Sequence, residues 1–172
     1  MIVGDNGTLL TSYNGTEWTS RTSGTSFNLN RVAYGYDLYY AIGDNFTTTS
    51  SVDGLSWTQS ASSNIHDDIN DIDYFGDATW GVAANDGRVV KWNSSDSWIM
   101  DLAGGNQSSN FYKDFNGITK GDDIVLVGDE GFIALSPDFS NFDTRSSGTS
   151  YNLRGTVHGN SIYVIVGDNG TI

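Results

Sequence analysis

One phrase recurs along this chain, and its spacing constrains the fold more than any other feature. Gly4-Asp5, Gly43-Asp44, Ala84-Asn85, Gly128-Asp129 and Gly167-Asp168 each close an apolar run, at intervals of 39, 41, 44 and 39 residues. A second marker, the aromatic at Trp18, Trp57, Trp98 and Phe142, keeps the same steps of 39, 41 and 44. Two independent markers in one register define a true repeat. Residues 1–48 align with 125–172 at a constant offset of 124, so four repeat periods are followed by a duplicated piece. Both termini then offer the same second strand of a unit. The expectation is an open window of a longer array, or a protomer whose terminal strands pair with a neighbour.

Each unit reads as four short strands. The first alternates apolar and polar residues, as in Leu29 to Tyr34 and Ile69 to Tyr74, the pattern of a half-buried strand. The second is a continuous apolar run at Leu38 to Ile42, Trp80 to Ala84, Ile124 to Val127 and Ile162 to Val166, suited to a strand covered on both faces. The third follows the Gly-Asp turn, and the fourth runs outward from the box aromatic. No stretch carries a 3.6-residue apolar period, so essentially no helix is expected. Four strands per unit predict an all-β propeller of about four four-stranded blades, with five blades or an open, incomplete array as alternatives. Residues 1–172 are read as a single repeat domain.

Composition narrows the partners. Twenty-one acidic residues against eight basic ones give a net charge of −13. A field of that sign repels phosphate backbones and anionic membranes, so neither nucleic acid nor membrane insertion is expected. There is no Cys to form a disulfide or thiolate metal site, and no apolar run approaches the length of a membrane span. Five Trp, nine Tyr and eight Phe supply core volume, while 21 Gly and one Pro leave Gly and Asn to make the turns.

The closing aromatic belongs to a box: Ser12-Tyr-Asn14-Gly15-Thr-Glu-Trp18, Ser51-Val-Asp53-Gly54-Leu-Ser-Trp57 and Ser136-Pro-Asp138-Phe-Ser-Asn-Phe142. A divergent copy ends at Trp98, and two copies depart from the pattern, at Ser95 and Phe139. Asn or Asp can accept hydrogen bonds from its own turn, the next Gly supplies positive φ, and the aromatic covers the hairpin. On that basis Trp57→Ala is expected to cost about 3–5 kcal/mol. These residues resemble the Asp box, or BNR repeat. Together with Gly-Asp-Asn-Gly-Thr-Leu they are similar to the repeats of the photosystem II assembly and stability factor family. The resemblance implies a propeller whose boxes are structural.

Sialidases share the box, so the resemblance also raises their chemistry. It needs an arginine triad, a Tyr activated by a Glu, and an acid Asp. Here five Arg are scattered, Arg21 and Arg145 occupy equivalent repeat positions, and the two Glu lie inside turns at 17 and 130. The chain is read as a non-enzyme that needs no cofactor. The cluster His66-Asp67-Asp68 with Asp71 offers oxygen ligands for Ca²⁺ but lacks EF-hand spacing, so a solvated linker is preferred to a metal site. Tyr13, Tyr36, Tyr112 and Tyr151 fall in predicted loops, where aromatic rings can contact a glycan or a protein partner. The expected function is a structural or attachment module of a larger assembly, such as a phage or virion surface protein, placed outside the cell or on a virion. The alternative is a free-standing binding propeller, lectin-like or an assembly chaperone, with glycosidase activity last.

Overall fold

The computed structural model describes residues 1–60, 66–93, 97–102 and 113–172, with side chains omitted for 92–93 and 97–102. Among them there is no α-helix, only three 3-10 turns, and no helix able to cross a membrane. The described residues form seventeen strands: β1 (Ile2–Gly4), β2 (Thr8–Thr11), β3 (Thr19–Ser20), β4 (Leu29–Gly35), β5 (Leu38–Gly43), β6 (Thr47–Ser51), β7 (Thr58–Gln59), β8 (Ile69–Gly76), β9 (Thr79–Ala84), β10 (Arg88–Asn93), β11 (Ser97–Leu102), β12 (Phe115–Lys120), β13 (Ile124–Gly128), β14 (Ile133–Ser136), β15 (Asp143–Arg145), β16 (Leu153–Gly159) and β17 (Ile162–Gly167). They pair in sequence order as antiparallel meanders. Strands β4 to β7, β8 to β11 and β12 to β15 make four-stranded sheets, β1 to β3 a three-stranded one and β16 to β17 a two-stranded one.

This is the blade pattern expected from the repeat, strand for strand. The continuous apolar runs become the second strands, and β13 is buried at every position. Two compact units emerge, Met1–Ile72 and Asp73–Ile172. In the first, Leu9, Leu29 and Ala41 pack with Met1, Val3, Val32 and Trp57. In the second, Phe115, Ile118, Leu126, Phe132, Phe139 and Phe142 form one cluster with Phe75 against it. Val125, Val127 and Leu153 make another.

A hydrogen-bond staple repeats with the blades. The amide just after the Gly-Asp pair donates to an Asn or Asp that sits immediately before the next blade's first strand. Asn6 donates to Asn28 Oδ1 and Asn45 to Asp68 Oδ1, both at 3.0 Å. Asp86 donates to Asp114 Oδ1 at 3.1 Å and Glu130 to Asn152 Oδ1 at 3.0 Å. The residue after each acceptor (Leu29, Ile69, Phe115, Leu153) is buried, which fixes the acceptor's place.

A β-bulge adds a second link. The register slips after Leu29, Phe115 and Leu153, and the extra residue is re-aimed, as bulges do. Asn30 Nδ2 reaches Asp44 Oδ1 at 3.0 Å and the Ile69 carbonyl at 2.9 Å. Asn116 Nδ2 repeats this with Asp129 Oδ1 (2.9 Å) and the Leu153 carbonyl (3.0 Å). At the third slip Arg154 grips both oxygens of Asp168 at 2.9 Å. The Asp of the Gly-Asp phrase is therefore an anchor for its own blade's first strand.

Candidate functional site

The turn boxes lie between the third and fourth strands of their blades and are built from local hydrogen bonds. Asn14 Oδ1 accepts from the Thr16 and Glu17 amides at 2.9 and 3.0 Å. Asp53 Oδ1 accepts from Leu55 and Ser56 at 2.8 and 2.9 Å, and Asp138 Oδ1 from Ser140 at 2.9 Å. Gly15 and Gly54 take φ of 75° and 72°. The Trp18 and Trp57 indoles each donate to the carbonyl of that Gly at 3.2 Å. Both rings lie over the turn with one side in solvent. Trp57 is half-buried and packs on the edge of the Leu9, Leu29 and Ala41 cluster, and Trp18 is 40% exposed. These rings cover their turns as the sequence implied, but without the full burial behind a loss of about 3–5 kcal/mol at Trp57.

Those hydrogen bonds set an acid limit on stability. The Ser56 amide, then Leu55 and the Ser51 hydroxyl, hold the Asp53 carboxyl below the usual carboxylate range. The Ser140 hydroxyl and amide do the same for Asp138, with a smaller contribution from Lys91. A lowered folded-state pKa stabilises above the unfolded value, and the gain is lost as pH falls through the folded one. The melting temperature should therefore hold from neutral pH to about pH 5 and fall below about pH 4. Asp53→Asn with Asp138→Asn, which copies the uncharged Asn14, should flatten that acid limb in a thermal scan. An unchanged limb would contradict this account.

A cleft opens beside the box at a blade junction in each unit. In the first unit it measures about 170 Å³, lined by Met1, Thr11, Ser12 and Tyr13 on one side and Tyr39, Asp53, Gly54 and Leu55 on the other. In the second it measures about 200 Å³. Its lining includes Phe75, Asp77, Lys91, Lys120, Ile124, Pro137, Asp138 and Phe139. The two are repeat-equivalent: Thr11 corresponds to Lys91, Tyr39 to Ile124, Asp53 to Asp138 and Gly54 to Phe139.

The last exchange changes the chemistry. Phe139 keeps the glycine conformation, at φ 70°, which costs an L residue roughly 1–2 kcal/mol. Burial offsets that cost. Phe139 is 5% exposed, stacks on Phe75 at 5.5 Å, and lies 5.7 Å below the Lys91 ammonium. What reads in the sequence as a divergent box is thus the aromatic floor of a cleft.

The four aromatic candidates are separated. Tyr13 is 93% exposed on the rim of the first cleft. Tyr36 is 62% exposed at the tip of the β4–β5 hairpin, where Tyr36 and Asp37 both have positive φ, as a tight hairpin turn requires. Tyr151 is half exposed in the segment before β16. Tyr112 and Ser95 lie outside the described residues, as does the side chain of Trp98 in β11.

The acidic cluster is taken up in structural bonds. Asp68 accepts the Asn45 staple, and Asp71, buried, pairs with Arg31 at 3.0 Å. The Asp67 carbonyl accepts from Phe46 at 2.8 Å, and His66 Nδ1 lies 2.9 Å from Asn45 Oδ1. Among the described residues no three ligating side chains converge on a metal position. The staple acceptors went unread in the sequence; the signal was an Asn or Asp directly ahead of each first strand's opening apolar residue.

Repeated four-stranded antiparallel blades define the class: a β-propeller. Solved structures agree. A structure titled "YCF48 bound to D1 peptide" superposes with a TM-score of 0.74 at 13% identity, over 98% of this chain and 57% of that one. YCF48 from Cyanidioschyzon merolae gives 0.66 at 16% identity, over 91% of this chain and 54% of that one. The computationally designed Ika4 protein gives 0.59 at 12% identity, covering 83% and 87%. The chain thus spans a little over half the length of the YCF48 structures. The fold is a propeller similar to that of the photosystem II assembly factor family. No protein-family model and no curated protein matches the sequence.

Proposed function

We propose that this chain is a non-enzymatic binding module of a larger assembly, holding a segment of a partner polypeptide in its turn-box clefts. The observation that carries the reading is the recurrence of one cleft at equivalent blade junctions in both units, each with rim side chains, such as Tyr13 and Lys120, beside the bonded box residues. The bound peptide named for one YCF48 structure supports a polypeptide as the partner class. The acidic, Ser/Thr/Asn-rich composition keeps an attachment role on a virion or phage surface as the setting we favour.

A peptide-display selection on the immobilised chain tests the reading. We expect an enriched motif whose binding falls about tenfold or more when a cleft residue such as Tyr13 or Lys120 is changed. Absence of any enriched peptide would overturn it. A second reading, contact with a glycan, is favoured by Tyr13 alone, whose ring stands free beside the Asp53 turn. It expects a glycan-array signal lost in Tyr13→Ala.

A further inference from the structure

The two repeat-equivalent clefts differ in their supply of positive charge. The second-unit cleft holds a cation of its own, for the Lys91 ammonium lies 5.7 Å from the centre of the Phe139 ring. After the Ser140 hydroxyl and amide, that charge also helps to hold the Asp138 carboxyl ionised. In the first-unit cleft Thr11 stands in the place of Lys91, while the box carboxylate is kept as Asp53. Tyr39 replaces Ile124 as an aromatic wall, backed by Tyr34 at 4.5 Å and Trp57 at 6.4 Å. Gly54 replaces Phe139, and its missing side chain opens the floor. A Cβ there would meet Met1 Cε at 3.3 Å and the Tyr39 ring at 3.5 Å.

The first cleft thus combines a carboxylate and two tyrosines with no cation. Asp53 Oδ1 is spent on the turn, accepting from the Leu55 and Ser56 amides and the Ser51 hydroxyl. Oδ2 has no hydrogen bond or ion pair among the described residues. Arg21 donates to Thr11 Oγ1 at 2.9 Å but does not line the cleft. A protein of net charge −13 draws cations to such a place.

The kind of cation follows from the polar groups left over. A primary ammonium carries three donors that need acceptors. The Ser12 hydroxyl already accepts from the Asn14 and Gly15 amides and donates to Asn14 Oδ1. A fully methylated ammonium has no donors to satisfy; its charge suits a carboxylate and aromatic rings, and its methyl groups suit Met1 and Leu55. We propose that the first-unit cleft, of about 170 Å³, binds a trimethylammonium head group against Tyr39 and Tyr13, with Asp53 as counter-ion. This ligand chemistry goes beyond the polypeptide reading above and does not depend on it.

The test titrates the isotope-labelled chain and follows amide NMR signals. The probes are choline, its neutral carbon isostere 3,3-dimethylbutan-1-ol, ethanolamine, and acetyl-trimethyllysine-amide. Choline should shift Tyr13, Gly54 and Leu55, and bind about tenfold tighter than the isostere or ethanolamine. Thr11→Lys, which copies the cation of the second cleft, should abolish choline binding at an unchanged melting temperature. Asp53→Asn, which keeps the turn as Asn14 does, should weaken choline binding about tenfold and carries the test if the lysine variant does not fold. Whichever of choline and the trimethyllysine probe binds tighter names the source of the head group, and both results support the site. Equal binding of the isostere would overturn the proposal in favour of a merely apolar cleft, and equal binding of ethanolamine in favour of a simple ion pair. Choline binding unaltered by Thr11→Lys, shifts confined to another surface, or no shifts would overturn it as well. The polypeptide reading falls only with the display selection, whose peptides carry no methylated lysine.

Discussion

Trp80→Ala is expected to lower the unfolding free energy by about 3–5 kcal/mol, the range for emptying a large aromatic from a closed core. Trp80 lies in β9, is 1% exposed, and is among the largest fully buried side chains. Its ring packs on Tyr74 with centroids 4.9 Å apart. The rest of β9, from Gly81 to Ala84, is buried as well, so no mobile neighbour can collapse into the space. Trp57→Ala should cost less than the same change at Trp80, because its indole is half-buried over an exposed turn and already meets water. Chemical denaturation of the two variants side by side gives the order. A loss at Trp57 equal to that at Trp80 would contradict the half-buried placement of the Trp57 ring.

Gly131→Ala is the second large effect, expected at about 3 kcal/mol or more from two causes. Its φ of +71° strains any L side chain by roughly 1–2 kcal/mol. A Cβ there would also stand 2.0 Å from the Thr149 carbonyl oxygen, which is backbone and cannot rotate away. The same approach occurs at Gly7, 2.1 Å from the Thr25 carbonyl, so it belongs to the repeat. Gly148 separates the causes: its φ is +75° but nothing lies within 4 Å of a Cβ. Gly148→Ala should show the conformational cost alone. Equal melting shifts at the two positions would mean that the linker yields.

The strands were legible because each was written several times. A single run such as Ile124 to Val127 is ambiguous between buried strand and buried helix, but its recurrence after every Gly-Asp interval removed the ambiguity. The boxes were legible for the same reason. The staple was not, because its acceptors differ in type (Asn28, Asp68, Asp114, Asn152) and keep no fixed distance from the box. Asp68 and Asp71 consequently read as part of a solvated acidic linker, when a backbone amide and Arg31 occupy them. Phe139 misled in the other direction. In the sequence it is only a departure from the glycine pattern, because only three-dimensional packing shows that the strained side chain is buried against Phe75.

The staple joins a turn to the residue that opens the next blade, while the chain between them varies in length. Donor and acceptor are 22 residues apart at Asn6–Asn28, 23 at Asn45–Asp68, 28 at Asp86–Asp114 and 22 at Glu130–Asn152. Register between neighbours is thus set by a bond that does not measure the intervening chain. Duplicated blades can acquire extra loop sequence without shifting their neighbours, and the segment ahead of each acceptor is a natural grafting point for a foreign loop.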